Sequence, residues 1–258
     1  MFYPNTVVKL MKKVIINSDD FGYSRGINWG IMDAHTQGIL TSATLMTNMP
    51  GFTHAVELAK QAPELGVGIH MVLTCGRPLL NTHKTLVDEH GNFKKQAWFK
   101  TEPFDEEEVY QEWDAQIQKA IDAGITPTHL DSHHHAHTFQ NNPEIIERLG
   151  RKYNLPIRIN YQASPDMRGV EHFIWDFDEC GARPESEDKA YLDALLQGIL
   201  DHETTEIMCH PGYLDCTIYH GSSWLENRIH ILEFIIHSDF SKTLKNHPDI
   251  ELVTYKEL

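Results

Sequence analysis

Thr128-His-Leu-Asp-Ser-His-His-His-Ala-His137 ends a short apolar segment in a crowd of imidazoles. Five of the chain's 17 histidines fall between His129 and His137, with Asp131 among them. Thr128-His-Leu reads as the end of a buried strand, and Thr138-Phe-Gln-Asn-Asn-Pro143 as a loop leading into a helix. Open α/β sheets and barrels carry their sites in polar clusters of this kind, at strand ends. Imidazole mixed with carboxylate suits Zn, Ni, Co, Mn or Fe. The same composition also fits a solvated His-rich loop, or rim histidines that only hydrogen-bond. The neighbouring segments have to decide.

On the N-terminal side, Val14-Ile-Ile-Asn17 is an apolar run breaking into Ser18-Asp19-Asp20-Phe21-Gly22. A helix is expected over 24–37, strands over 39–47 and 66–72, and a helix over 52–61. Residues 74–104 have no clear period and hold Phe93, Trp98 and Phe99, so they read as a long aromatic loop that either serves the site or packs on itself. Asp105-Glu-Glu-Glu108 resembles a capping box opening a helix that Gly124 closes. Past the histidines come a helix over 143–153, a strand over 155–160, an irregular stretch over 160–186, a helix over 189–200, a strand over 205–212, a helix over 224–236 and a strand over 250–254. Strands alternating with helices mean parallel strands with crossover helices. About seven such strands favour an irregular (β/α) barrel in the α/β class over a doubly wound sheet. We expect a single domain over 12–258, with 1–11 as an N-terminal extension.

Bulk properties narrow the partners. With 258 residues, 41% apolar and 23% charged, the chain is an ordinary globular composition with room for a large core. A net charge of −15 argues against nucleic acid and anionic membranes. No apolar run approaches the ~18 residues of a membrane span. Cys75, Cys180, Cys209 and Cys216 are widely spaced and form no C-x-x-C pair. That spacing, with no signal-peptide pattern at the N-terminus, points to a reducing, cytoplasmic setting. A homodimer is expected only on the general frequency of symmetric dimers.

The polar residues gather at the C-terminal ends of the expected strands: Asp19, Asp20, His70, the 129–137 cluster, Arg158 and His210. A parallel barrel brings those ends to one face. Each residue also has a plainer reading: the Asp pair as a helix cap, His70 as a satisfied polar residue, His210 as a rim residue. Neighbours at a strand end point in different directions, so one Asp could bind metal while the other faces water. Cys209 is expected to point into the core, which rules out a dyad with His210. Carboxylate plus two histidines leaves coordination positions open, as catalytic metals require. The constellation suits metal-assisted hydrolysis, with a carboxylate taking the water's proton and a histidine protonating the leaving group.

Four segments together carry a family resemblance: Asn17-Ser-Asp-Asp-Phe-Gly22, Gly68-Ile-His-Met-Val-Leu-Thr74, Thr128–His137 and Met208-Cys-His-Pro211. In order and spacing they resemble the YdjC-like carbohydrate deacetylases, and among these the chitooligosaccharide (diacetylchitobiose) deacetylases. The resemblance implies a barrel of irregular, deacetylase type, a divalent metal ion (magnesium first, with zinc, nickel or cobalt as alternatives) and hydrolysis of an N-acetyl group on a small oligosaccharide that contains N-acetylglucosamine and is in some cases phosphorylated. By position it implies Asp20, His70 and His133 as metal ligands, Asp19 as base, His210 as acid and Arg158 orienting Asp19. Polysaccharide deacetylases draw both histidines from one H-x-x-x-H segment, whereas Thr74 stands four residues after His70 here. The second histidine must then come from the later cluster, as His133 or, if that loop coils, His137. Asp131, His129 and His135 remain for supporting contacts, and the aromatics of 93–99 for stacking on sugar. Two other readings stay open: an amidohydrolase or phosphoesterase with the same ligands, and a non-enzymatic metal- or sugar-binding protein.

Overall fold

β1 (Lys12–Phe21) is the strand on which the others are hung. It is buried from Val14 to Phe21, because parallel neighbours and their crossover helices cover both faces. The computed structural model describes residues 10–181 and 189–258, without the side chains of Cys180 and Gly181; residues 1–9 of the expected extension lie outside the described residues. The other strands are β2 (Ser42–Leu45), β3 (Gly66–Met71), β4 (Leu130–Ser132), β5 (His172–Ile174), β6 (Thr204–Cys209) and β7 (Ile250–Leu252). They lie in the order β4-β3-β2-β1-β6-β5, all parallel, with β7 paired to the start of β1. The helices are α1 (Arg25–Gln37), α2 (Phe52–Gln61), α3 (Gln96–Thr101), α4 (Glu106–Asp122), α5 (Asn142–Tyr153), α6 (Asp178–Gly181), α7 (Lys189–Asp201), α8 (Cys216–Gly221), α9 (Glu226–His237) and α10 (Asp239–Asn246).

The sheet curls into an irregular (β/α) half-barrel, and one side chain proves the curl. Arg158 Nη2 lies 2.6 Å from Asp19 on β1, 2.9 Å from Asp131 on β4 and 2.7 Å from Glu206 on β6. In a flat sheet β1 and β4 would stand roughly 14 Å apart, three spacings of about 4.8 Å. Only a curved sheet lets one guanidinium reach all three.

The sequence-based elements hold with informative exceptions. The expected strand over 155–160 shrinks to one bridge, Leu130 with Ile157. At the opposite edge of the sheet, β5 pairs with β6 inside the stretch read as irregular; three residues carry too little pattern to be seen. The helix expected over 224–236 is followed by a separate α10, started by Ser238, whose hydroxyl accepts from the Ser241 N–H. Asp105 caps α4 by accepting from Glu107 N–H, but Glu108 does not close the box. Its carboxylate instead accepts from the N–H groups of Lys84 and Thr85 and from the Thr85 hydroxyl. Glu112, one turn on and fully buried, accepts from the N–H groups of Leu79 and Leu80 and contacts His83. The long 74–104 segment is thus pinned to α4 by two carboxylates.

β1 departs from regular pairing where it matters most. Ser18 faces Ala43 and Phe21 faces Leu45, so Asp19 and Asp20 together oppose the single residue Thr44. This is a β-bulge, which adds a residue and re-aims side chains. Asp20 takes φ 69°, the left-handed region that Asp tolerates better than most residues. Both carboxylates line one cavity but turn to different partners, Asp19 to Arg158 and Asp20 to Arg228 and His133.

Close packing below the site leaves little tolerance. A Cβ on Gly68 of β3 would meet the His129 ring at 2.4 Å. That ring cannot retreat, because Tyr255 stacks on its other side with centroids 3.7 Å apart. Gly68→Ala is therefore expected to lower stability by about 1–3 kcal/mol, read as a lower urea midpoint at unchanged slope.

Candidate active site

The bulge places Asp19 and Asp20 at the floor of a cavity of about 640 Å³ at the C-terminal end of the strands. Asp20 Oδ1 lies 3.1 Å from His133 Nδ1 and 3.6 Å from His70 Nε2. Asp20, His70 and His133 each offer one atom within 4.8 Å of the other two, and all three are buried. His70 reaches this point from the end of β3, and its Nδ1 is 2.7 Å from Asp131 Oδ1 on β4. A carboxylate only accepts, so that ring carries its proton on Nδ1 and turns a bare Nε2 toward Asp20. Asp20 Oδ1 and His70 Nε2 are buried without a hydrogen-bond partner among the described residues. Buried polar atoms are rarely left so. Two unsatisfied lone pairs converging with a third donor atom are what a cation site requires, and the residues fit a divalent ion.

A second grouping, Asp19, His70 and Asp131, is also close enough on distance alone. Arg158 occupies it: its guanidinium forks Asp19 at 2.9 and 2.6 Å and lies 2.9 Å from Asp131. A cation there would meet a guanidinium, so the first grouping is the one that can hold metal.

His133 opens a short 3-10 segment, His133–Thr138, which is broken by left-handed conformations at His134 (φ 56°) and His135 (φ 53°). The loop is not an α-turn, so His137 does not sit above His133. Both His137 nitrogens are engaged, Nδ1 at 2.6 Å from Ser132 Oγ and Nε2 at 2.8 Å from Asn160 Oδ1. Burial pushes its pKa down to about 3, and it stays outside the donor set. His135 lines the cavity and is likewise pushed down, to about 4, chiefly by burial. His129 lies deep in the interior under Gly68, as a neutral structural group.

The charges around the pair are fixed. Burial raises the Asp19 carboxyl, but the Arg158 charge and then His70 outweigh it and hold the group well below the carboxylate range. The same contest holds Asp20 low, with Arg228 as the largest opposing charge and His133 next. Across the cavity, His210 Nδ1 donates to Asp178 Oδ2 at 2.6 Å, and its backbone N–H donates to Asp178 Oδ1. Burial lowers the His210 pKa, yet Asp178 overrides it and the pKa ends above the ordinary value. His210 Nε2 points back to Asp19 Oδ2 at 3.9 Å. Cys209 is buried and donates to the Asn17 carbonyl, as core, away from His210.

Sequence reasoning missed several cavity residues. Asp178 and Trp175 fall in the stretch without a period. Arg228 and Glu206 did leave a signal. Arg228 is the first residue of the buried α9 stripe Arg228, Ile231, Leu232 and Ile235, and Glu206 is buried inside β6. A charge on an apolar stripe marks an ion pair. The aromatic loop served differently from the sugar-stacking role expected of it. Phe93 and Phe99 are core, and Trp98 packs on Phe99 under the Lys94 ammonium, 3.6 Å from its ring. The exposed aromatics at the cavity are Trp175 and Trp224 instead.

A family model described as YdjC-like protein matches residues 13–246. A carbohydrate deacetylase of Halalkalibacterium halodurans is 42% identical over 86% of this chain and 94% of its own. Another carbohydrate deacetylase, from Geobacillus stearothermophilus, is 41% identical over 94% of this chain and 96% of its own. A crystal structure from Enterococcus faecalis, described as a cellobiose-phosphate cleavage protein, superposes with TM-score 0.86 at 32% identity, covering 96% of this chain and 98% of that one. With the family model spanning most of the sequence and relatives this similar along nearly their whole length, the chain belongs to the YdjC-like family.

Proposed function

We propose that the protein is a metal-dependent carbohydrate deacetylase that removes the N-acetyl group from small oligosaccharides containing N-acetylglucosamine, with diacetylchitobiose as the model substrate. The observation that carries this is the unsatisfied pair Asp20 Oδ1 and His70 Nε2, set beside an anionic Asp19 and a His210 raised toward its cation. The names of the similar deacetylases supply the bond.

Asp20, His70 and His133 would hold the ion. One carboxylate and two imidazoles favour zinc, nickel or cobalt on donor chemistry, whereas magnesium rests on the resemblance. Such an ion polarises a carbonyl and acidifies bound water. Asp19, kept anionic and aimed by Arg158, takes the proton of the attacking water. His210 gives its Nε2 proton to the amide nitrogen as the C–N bond breaks, so acetate and a free amine leave. Trp175 and Trp224 offer apolar faces to the sugar at the cavity mouth. Asp176, Asp178 and Glu179 among the lining residues disfavour phosphate inside, so a phosphorylated sugar would carry its phosphate outside. No described helix is long and apolar enough to cross a membrane.

The direct test is acetate release from diacetylchitobiose by metal-loaded protein. Release is expected, with none after metal removal and recovery on adding the ion back. No release from loaded protein would overturn the substrate; release surviving complete removal would overturn the metal.

The rate should fall as pH rises through the His210 pKa, because the acid form is then lost. Asp178 is what raises that pKa. In Asp178→Asn the alkaline limb of kcat/KM is expected to move to lower pH, with less effect on the rate below it. An unmoved limb would assign the acid to another group.

A further inference from the structure

Arg228 is used only in part by the site described so far. Its Nε donates to the Trp224 carbonyl at 2.9 Å, and its Nη2 donates to Asp20 Oδ2 at 2.7 Å. The side chain is 3% exposed and lines the cavity. Its Nη1 is buried and has no hydrogen-bond partner among the described residues. A guanidinium is planar, so two engaged nitrogens fix the direction of the third. The backbone is fixed as well: the Arg228 carbonyl accepts from Gly212 N–H, in the turn that follows His210. A buried charged donor left without a partner is costly, and among the described residues none pairs with this one.

Resting on the deacetylase reading above, we infer that Arg228 is a catalytic residue whose Nη1 donates to the acetyl oxygen as it becomes an oxyanion. Asp20 takes one face of the guanidinium, and the substrate oxygen takes the remaining donor. On this assignment the fixed donor meets charge as it develops, so it stabilises the transition state more than the ground state, whose carbonyl carries little charge. Ionic groups around the guanidinium agree with a single anionic partner rather than a second protein carboxylate: Asp20 faces Nη2, and Asp19 is taken by Arg158. Water attack on the acetyl carbon moves the C=O electron pair onto oxygen, where Nη1 meets it. The pair returns as the C–N bond breaks, so the donor is neither consumed nor oxidised.

The test compares wild type, Arg228→Gln and Arg228→Lys, each at saturating metal and with metal content measured. A tetrahedral phosphonamidate analogue of the N-acetyl disaccharide serves as the binding probe. Arg228→Gln is expected to lose about 10²–10³ in kcat with KM little changed, and to bind the analogue more weakly by a similar factor. Arg228→Lys keeps a cation beside Asp20 but cannot serve both partners, so it should recover metal affinity without recovering kcat. Return of full kcat in either variant once metal is saturating would reduce Arg228 to a prop for Asp20 and overturn the inference. A raised KM with intact kcat would overturn it too. If wild type releases no acetate, it is the deacetylase reading that fails.

Discussion

Asp19→Asn should bind metal like wild type and release acetate some 10²–10⁴ times more slowly. Asn keeps the shape and can still accept from Asn17 and Thr44, which contact Asp19 Oδ1 at 3.1 and 3.4 Å. It cannot take a proton from water. The proposed ligand set Asp20, His70 and His133 is untouched, so calorimetric metal binding separates the two roles. Loss of metal in this variant would mean that Asp19 belongs to the donor set, and wild-type turnover would remove it as base. The depressed Asp19 pKa adds a sign: the group stays anionic well into acid, so any acid limb of the rate belongs to another group.

Arg158→Met should be the most destabilising change in the barrel. It leaves Asp19, Asp131 and Glu206 buried around an apolar side chain, where one guanidinium had served all three. Removing one partner of a buried ion pair costs about 3–5 kcal/mol, and here the survivors also repel one another. Glu206 yields most easily: burial already raises its pKa against the pull of Arg158 and of the Tyr255 hydroxyl that donates to it. We expect a large drop in the urea midpoint and no turnover. Arg158→Lys should recover part of the stability, since a charge is restored, but little of the rate, since an ammonium cannot fork Asp19. Equal stability of Arg158→Met and wild type would show that the carboxylates take up protons at no cost.

The alternation of strands and helices, and the gathering of Asp19, Asp20, His70, the 129–137 cluster, Arg158 and His210 on one face, were legible in the sequence, while the choice of His133 within that cluster rested on the family resemblance. They follow from periodicity and from barrel geometry. Which nitrogen of which histidine turns inward was not legible. His133 and His137 differ by two left-handed residues between them, and no spacing rule reveals those. The bulge at Asp19 and Asp20 was hidden for a like reason, being a matter of pairing with Thr44 rather than of local composition. Asp178 escaped because a residue on an aperiodic segment has no face until the chain is folded. Arg228 was within reach: a cation at the head of an apolar stripe asks for a buried partner, and Asp20 is that partner.

β1 lies near the beginning of the sequence, and β2 follows it at once, but its other neighbours, β6 and β7, arrive late. Ser18 pairs with Cys209, Lys12 pairs with Ile250, and Tyr255 braces Glu206 behind Arg158. During synthesis Asp19 and Asp20 emerge early and wait for Arg158, His210 and Tyr255 to reach the site around them. Such distant pairing slows folding, because loop closure must precede the contacts that reward it. It also makes turnover a sensitive reporter of finished synthesis. A ribosome stalled between residues 133 and 250 would leave a chain with its proposed ligands translated and the pairing of β1 with β7 still unmade.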